Sequence, residues 1–570
     1  MRKYAILLGT ILVGFASALS YAQPPVPFVS LPLVPDATAP GGPDFTLAVN
    51  GTGFVSNSAV NWNGTALATE YVSGSQLTAT VPAADIAKPG TGQITVVTPA
   101  PGGGTSAALT FEVTKPISLF TFNWSDYTGG TNPGSVAVAD FNGDGNLDIA
   151  AGIMGSKSVM IYLGNGQGGF KPRGEYAAGG STDSVVVGDF NGDGKLDIAT
   201  RGGAVLLGNG DGSFQPPISF VCGLDTTDNG GIAVGDFTGD GNLDIVGTDN
   251  ATGQVCVLLG NGDGTFQAPV YYAAGAGAWG IAVGDFNGDG SLDLAVNLSG
   301  ADEVAILLGN GNGTFQPEVI YPIGGEDPWE LYTADLNGDG ALDLVLPISD
   351  GASVLLGNGD GTFRPYVIYP VPGVFGRGAV ADVNGDGKPD LVMTSGWGNW
   401  GSGWFYVLLG NGDGTFQQPT TYMTGAGCPL GMAVGDFNKD GLLDMVFGDW
   451  CDSPISVSLG AVVSLAPDTL AFGTVALGQQ SSLTVQLTNI QNSALKITGI
   501  AISGGKGAYS QTNNCGNSVA AGQFCTVTVT FAPGTTGSFA GEVLVGDNAA
   551  GTPQRVFLSG RGSSAAVARR

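Results

Sequence analysis

Histidine is absent from the 570 residues. That removes imidazole bases, histidine-containing triads and histidine metal ligands from the chemistry open to this chain. Basic residues are scarce, with 19 Lys and Arg against 48 acidic residues and a net charge of −29. With no basic run either, the balance disfavours nucleic acid as a partner. Long apolar runs are missing after the first 22 residues, so no membrane span is expected in the mature chain. Low complexity is excluded as well, because hydrophobic residues reach 43% and the 98 glycines fall in turns.

What the chain does have is one nine-residue stretch repeated seven times: DFNGDGNLD, DFNGDGKLD, DFTGDGNLD, DFNGDGSLD, DLNGDGALD, DVNGDGKPD and DFNKDGLLD. Oxygen side chains recur at positions 1, 3, 5 and 9, and Gly at position 6. Hard divalent cations such as Ca²⁺ take oxygen donors from alternating loop positions and one backbone carbonyl. The expected ligands are Asp140, Asn142, Asp144 and Asp148; Asp189, Asn191, Asp193 and Asp197; Asp236, Thr238, Asp240 and Asp244; Asp285, Asn287, Asp289 and Asp293. They continue with Asp335, Asn337, Asp339 and Asp343; Asp382, Asn384, Asp386 and Asp390; Asp436, Asn438, Asp440 and Asp444. Position 7 would offer its carbonyl, from Asn146, Lys195, Asn242, Ser291, Ala341, Lys388 and Leu442. Up to seven structural Ca²⁺ are expected, with the Thr238 loop the weakest site. An EF-hand is excluded, since no copy has Glu at position 12 and the flanks alternate like strands. The competing reading is a bare Asx-Gly turn. The loops hold 21 of the 48 acidic residues, so filled sites would cancel about half of the net charge.

Residues 1–22 read as a secretory signal peptide, with Arg2 and Lys3 before an apolar segment and Ser20-Tyr21-Ala22 at the cleavage site. The mature protein is expected to be secreted, extracellular or at a cell surface. Six cysteines then suggest disulfides. Cys515 and Cys525 are neighbours in sequence, Cys428 and Cys451 flank antiparallel strands, and Cys222 and Cys256 are left to pair.

A Pro-rich leader is expected at 23–35. Residues 36–115 show short alternating strands and resemble the IPT/TIG immunoglobulin-like family through Gly51-Thr52-Gly53-Phe54, Val60-Asn61-Trp62-Asn63-Gly64 and PAPGGGTSAALTFEV. Across 116–460 the loop starts are 49, 47, 49, 50, 47 and 54 residues apart, a period typical of propeller blades. A second turn, LGNGDGTF and its variants, ends in Phe170, Phe214, Phe266, Phe315, Phe363 and Phe416, expected to pack between blades. The seventh unit lacks this turn and its fourth strand. The unmatched strand Ile117–Trp124 is expected to fill that place, removing an exposed edge. These repeats resemble the FG-GAP/VCBS family, known for the calcium-binding propellers of integrin α subunits. The resemblance implies cation loops on one face and ligand contacts on the other. Residues 461–562 resemble the Hydin-type (ASH-like) immunoglobulin module through Leu470-Ala471-Phe472-Gly473 and VTFAPGTTGSFAG, and 563–570 form a tail. The fold class expected is all-β: a seven-bladed β-propeller flanked by two immunoglobulin-like β-sandwiches.

The loops opposite the cation turns carry Trp279, Trp329, Phe375, Trp397, Trp400, Trp404 and Trp450. Aromatics on Gly-rich loops suit stacking on sugar rings, although Trp279 and Trp329 equally suit a channel plug. The expected partner is a glycan or a surface protein, and the sequence sets no oligomeric state. A rival reading is a polysaccharide-degrading enzyme using loop acids such as Asp302, Glu303, Glu326, Asp327, Glu330, Asp350 and Asp452, or Arg201 or Arg377 in a lyase. No catalytic motif accompanies them, so a non-enzymatic binding role is expected. A purely architectural surface protein is the third reading.

Overall fold

The computed structural model describes residues 26–564 except 36, 39, 89, 101–102, 115–120, 129, 223–229, 372–376, 396–402, 425–426, 452–453, 468, 491–493 and 550–552. The expected signal peptide, Phe375, Trp397, Trp400 and the last six residues of the tail therefore lie outside the described residues. The described chain is all-β, with a single 3-10 turn at Gly505–Gly507.

The N-terminal sandwich places Phe28–Val34, Phe45–Thr52, Gln76–Val81 and Ala68–Tyr71 in one sheet. Its second sheet is built on Leu109–Val113, Gly90–Thr98 and Ala59–Trp62. Burial alternates along Gly90–Thr98 as the period of a strand dictates, and Leu47, Val60, Leu77, Ile94 and Phe111 fill the space between the sheets. One expectation is corrected here. Much of the Pro-rich stretch at 23–35 is not a leader: Phe28–Val34 pairs antiparallel with Phe45–Thr52. Its prolines masked a strand that sits at the sheet edge, where missing donors are tolerated.

The repeats form seven four-stranded antiparallel sheets. The second strand of a sheet, for example Asp244–Asp249 or Asp293–Leu298, is buried at every position. Neighbouring sheets cover both of its faces, which is why its sequence runs apolar instead of alternating. The fourth strand, as in Val319–Pro322, is mostly exposed. The seventh sheet is completed by Thr121–Thr128, which pairs antiparallel with Pro454–Ala461.

Adjacent sheets, the sixth and seventh excepted, are joined by one repeated device. The Phe of the second turn packs edge-on against the residue at loop position 2 in the preceding sheet, as in Phe214 on Phe141 (5.8 Å) and Phe315 on Phe237 (5.5 Å). A glycine N–H of the same turn donates to the carbonyl of that residue, at 3.1 Å for Gly212 to Phe141 and 2.7 Å for Gly313 to Phe237. The first sheet makes these contacts with the seventh: Phe170 lies 5.4 Å from Phe437, and Gly168 donates to the Phe437 carbonyl at 3.1 Å. Gly435 shows why the position before a loop stays small, because a Cβ there would meet Leu147 of the first sheet at 2.6 Å.

The inner strands surround a chamber of about 1160 Å³. Each sheet gives it the residue two places before the loop: Val138, Val187, Val234, Val283, Thr333, Val380 and Val434. Phe28, Leu33 and Leu109 of the N-terminal sandwich line the loop end of this chamber. The C-terminal sandwich packs Val485, Leu487, Val527, Phe531 and Val543 between its sheets, and Leu442 of the seventh loop joins that core. Disulfides join Cys222 to Cys256, Cys428 to Cys451 and Cys515 to Cys525.

Candidate cation loops and a tryptophan-lined mouth

Each loop joins the first strand of its sheet to the second, so all seven lie at one end of the ring. The local fold follows from the side chains. The position-1 carboxylate accepts the position-6 N–H in every copy, at 2.7 to 2.9 Å. That bond bends the loop back on itself, and the position-6 glycines supply it with φ between 79° and 86°. Position 3 accepts the N–H of position 5, and position 5 accepts that of position 7, again in every copy.

The position-9 aspartates have a second task. In Asp244, one oxygen accepts the Phe237 N–H at 2.9 Å and the other the Gly260 N–H at 2.7 Å. The same pair of bonds recurs at Asp148, Asp197, Asp293, Asp343, Asp390 and Asp444, all fully buried. These side chains staple the loop to the end of the third strand. Burial, with added repulsion from positions 1 and 5, pushes Asp148, Asp197, Asp293 and Asp343 up to about 7, and Asp244 and Asp390 up to about 8. Asp444 lies well above the usual carboxylate range for the same reasons.

The donor set fits a hard divalent cation: three carboxylates, an amide or hydroxyl oxygen and a carbonyl, with no nitrogen or sulfur. Convergence is looser than the motif leads one to expect. Among the described residues, three metal-ligating groups approach within 4.8 Å of one another only at Cys428, Asp449 and Cys451, where the two cysteines are already joined. In the loops each carboxylate is turned onto backbone N–H groups instead. At position 5, Lys195 lies 3.1 Å from Asp193, Arg364 3.7 Å from Asp339 and Lys388 3.8 Å from Asp386.

The opposite end of the ring is irregular. Trp279, Trp329 and Trp450 line a hollow of about 100 Å³ together with Met154, Asp183, Glu330, Arg377 and Leu430. The indoles of Trp279 and Trp329 lie 5.6 Å apart. Their backbones are held by neighbouring sheets. The Trp279 carbonyl accepts the Gly231 N–H at 2.6 Å and the Thr248 hydroxyl. Asn297 donates to the Pro328 carbonyl at 2.8 Å, fixing the approach to Trp329, and Asn132 donates to the Trp450 carbonyl at 2.8 Å. Arg377 pairs with Glu330 at 3.1 Å and donates to the Asp183 carbonyl at 2.5 Å. Burial raises the Glu330 pKa against the pull of Arg377, and Asp183 adds to the rise.

Of the aromatic candidates, the structure thus brings three together. Trp404 is not among them, since it opens the strand Trp404–Leu408 and packs half-buried on the core between the fifth and sixth sheets. Of the acids in the enzymatic reading that lie among the described residues, Glu330 alone lines the hollow, and Asp452 lies outside the described residues. Asp183 and Leu430 escaped notice in the sequence, yet the signal exists. Asp183, Trp279, Trp329 and Leu430 each stand six residues before the first Asp of a loop.

Comparison with known families agrees with the architecture. The FG-GAP-like repeat model matches residues 140–200, 236–296, 294–346 and 382–447. The IPT/TIG domain model matches 31–113, and the HYDIN/CFA65/VesB-like Ig-like domain model matches 461–562. The chain is therefore an all-β protein of FG-GAP-like repeats, carrying an IPT/TIG domain before them and a HYDIN-type Ig-like domain after them. No curated protein matches the sequence. Among solved structures, an Agrocybe aegerita lectin that recognises non-reducing terminal N-acetylglucosamine is 23% identical, covering 65% of this chain and 92% of its own, with a TM-score of 0.40. An auxiliary nutrient binding protein from Bacteroides ovatus is 13% identical, covering 76% and 98%, with a TM-score of 0.36. Virginiamycin B lyase from Staphylococcus aureus is 14% identical, covering 60% and 99%, with a TM-score of 0.40. Likenesses of this size carry no functional argument. No helix among the described residues is long and apolar enough to cross a membrane.

Proposed function

We propose that this is an extracellular binding protein that takes a glycan at the tryptophan-lined mouth, on a ring braced by calcium at its other end. The carrying observation is the convergence of Trp279, Trp329 and Trp450 from three sheets around one hollow with the Arg377–Glu330 pair. Flat indole faces stack on the apolar faces of pyranose rings, and a half-buried ion pair offers hydrogen bonds to the hydroxyls at their edges. Calcium would be held by the side chains at positions 1, 3, 5 and 9 of the loops and the carbonyl at position 7, and would supply charge neutralisation alone. Glu330 is engaged by Arg377, an arrangement suited to gripping a ligand.

The test is a glycan array probed with the full chain, with and without calcium, followed by the Trp279→Ala and Trp329→Ala variants. A saturable glycan signal that each variant weakens by roughly tenfold or more is expected. Equal signals from wild type and variants would refute the mouth as the binding site.

A further inference from the structure

The chamber inside the ring is used neither by the cation loops nor by the mouth, and its wall is apolar by repetition. Two places before each loop stand Val138, Val187, Val234, Val283, Val380 and Val434, with Thr333 the exception. The place before that is Ala in five of the seven sheets. Of the inner-strand residues on the wall, only Tyr332 and Thr333 carry polar side chains, and the Tyr332 hydroxyl accepts the Gly378 N–H at 2.8 Å. A wall washed by water could vary as freely as loop position 7, which runs through Asn, Lys, Ser, Ala and Leu. This wall does not. Its two ends differ. Towards the mouth it reaches the residue four places before the loops, as at Val185, Ile232, Leu331 and Met432. Arg377 comes at the next level. It leads into the sixth sheet, yet it donates to the Asp183 carbonyl of the second at 2.5 Å and pairs with Glu330 of the fifth. The second and sixth sheets are not neighbours, so this guanidinium bars the channel below the tryptophans. At the loop end the N-terminal sandwich is seated by Thr114 on Asp382 (2.8 Å) and by Ser75 on the Gly290 carbonyl (3.1 Å), and it extends the apolar wall with Phe28, Leu33 and Leu109. Polar side chains gather here. Beside the fifth and sixth loops the lining includes Asp335, Asp339, Lys388 and Asn411, and it reaches solvent at the exposed Gly338, Asp339 and Gly387.

We infer that the chamber binds a single alkyl chain with a polar head, its tail against the valines and its head beside the fifth and sixth loops. The volume of about 1160 Å³ lies just above the range of about 300–1,000 Å³ usual for ligand pockets. Apolar cavities take up apolar molecules, because water finds no hydrogen-bond partners on such walls. For the same reason a sugar is a poor occupant, since its hydroxyls would lose water and gain nothing from Val and Ala. The chamber therefore calls for a ligand of another class than the mouth does. One barred apolar end and one open polar end match a molecule that is itself apolar at one end and polar at the other.

The test uses the full chain and two probes kept below their micellar concentrations, dodecanoate and dodecyltrimethylammonium, so that a head of either sign is offered. Titration calorimetry should show saturable uptake of at least one of them. Acetate and tetramethylammonium, the heads alone, should not compete at equal concentration. Val234→Trp and Val283→Trp each push a ring into the chamber. Each should weaken uptake by roughly tenfold or more, since two methylenes displaced from apolar contact cost about that much. Uptake of neither chain, competition by the bare heads, or variants that bind like wild type would each overturn the proposal. Should the variants not fold, hydrogen exchange of the wild type decides. The bound chain should slow exchange in the inner strands Ile232–Gly235 and Ala278–Gly284, and unchanged rates overturn the proposal. No sugar enters these experiments, so their outcome is separate from that of the glycan array.

Discussion

The two ends of the ring are built from the same strands by opposite rules. At the loop end, seven copies repeat one set of hydrogen bonds almost bond for bond. At the mouth, the equivalent register position holds Asp183 in one sheet, Trp279 and Trp329 in two others and Leu430 in another. A structural device can be copied, because every sheet needs the same bend. A recognition surface must break the symmetry, because a ligand presents different groups to different sheets. Under the proposed function, uniformity at one end and variety at the other divide the labour between holding the ring and reading a partner.

The largest expected effect sharpens that division. Chelating calcium should lower the melting temperature by about 10 °C or more, since each filled site is worth roughly 2.7 kcal/mol at a hundredfold excess over its Kd. Differential scanning calorimetry with and without chelator measures it, and an unchanged transition would leave the loops as bare turns.

A smaller effect separates two roles within one loop. Asp244→Ala strands two buried N–H groups and should cost about 2–4 kcal/mol even in chelator. Asp240→Ala, at an exposed position, should cost less than about 1 kcal/mol in chelator yet remove one calcium equivalent. Denaturant unfolding in both conditions reads the difference, and equal costs would erase the distinction between staple and ligand.

The smallest effect lies at the mouth. Glu330 has a raised pKa in the folded state, so folding is favoured by its protonated form. Its contribution is present below the unfolded-state value near about 4.3 and is lost as pH rises through the folded-state value. Glu330→Gln should flatten that part of the stability profile. A profile that keeps its slope in the variant would assign the titration elsewhere.

How much of this was legible follows from the same contrast. The sheets, the turn phenylalanines and the loops could be read because each is stated seven or six times over, and repetition averages out local accident. The completing strand could be read from a deficit, one strand too few at the end and one too many at the start. Its described part, Thr121–Thr128, runs four residues past the expected end at Trp124, because nothing in ISLFTFNW marks where pairing with Pro454–Ala461 stops, and Ile117–Phe120 lie outside the described residues. Phe28–Val34 was hidden by the neighbouring prolines. Trp404 misled because a Gly-rich flank resembles a loop until the strand partner, Thr420–Met423, is known.

The strand Thr121–Thr128 finds its partner more than 300 residues downstream. A ribosome moving from the amino end must therefore deliver six sheets and most of a seventh before that early segment can dock. Until then it dangles as an open edge, and a truncated product ending anywhere short of Pro454 would leave the wheel without its fastening. The last strand to be seated is among the first to be made, which renders assembly of the whole an all-or-nothing affair set by the final stretch of the repeats.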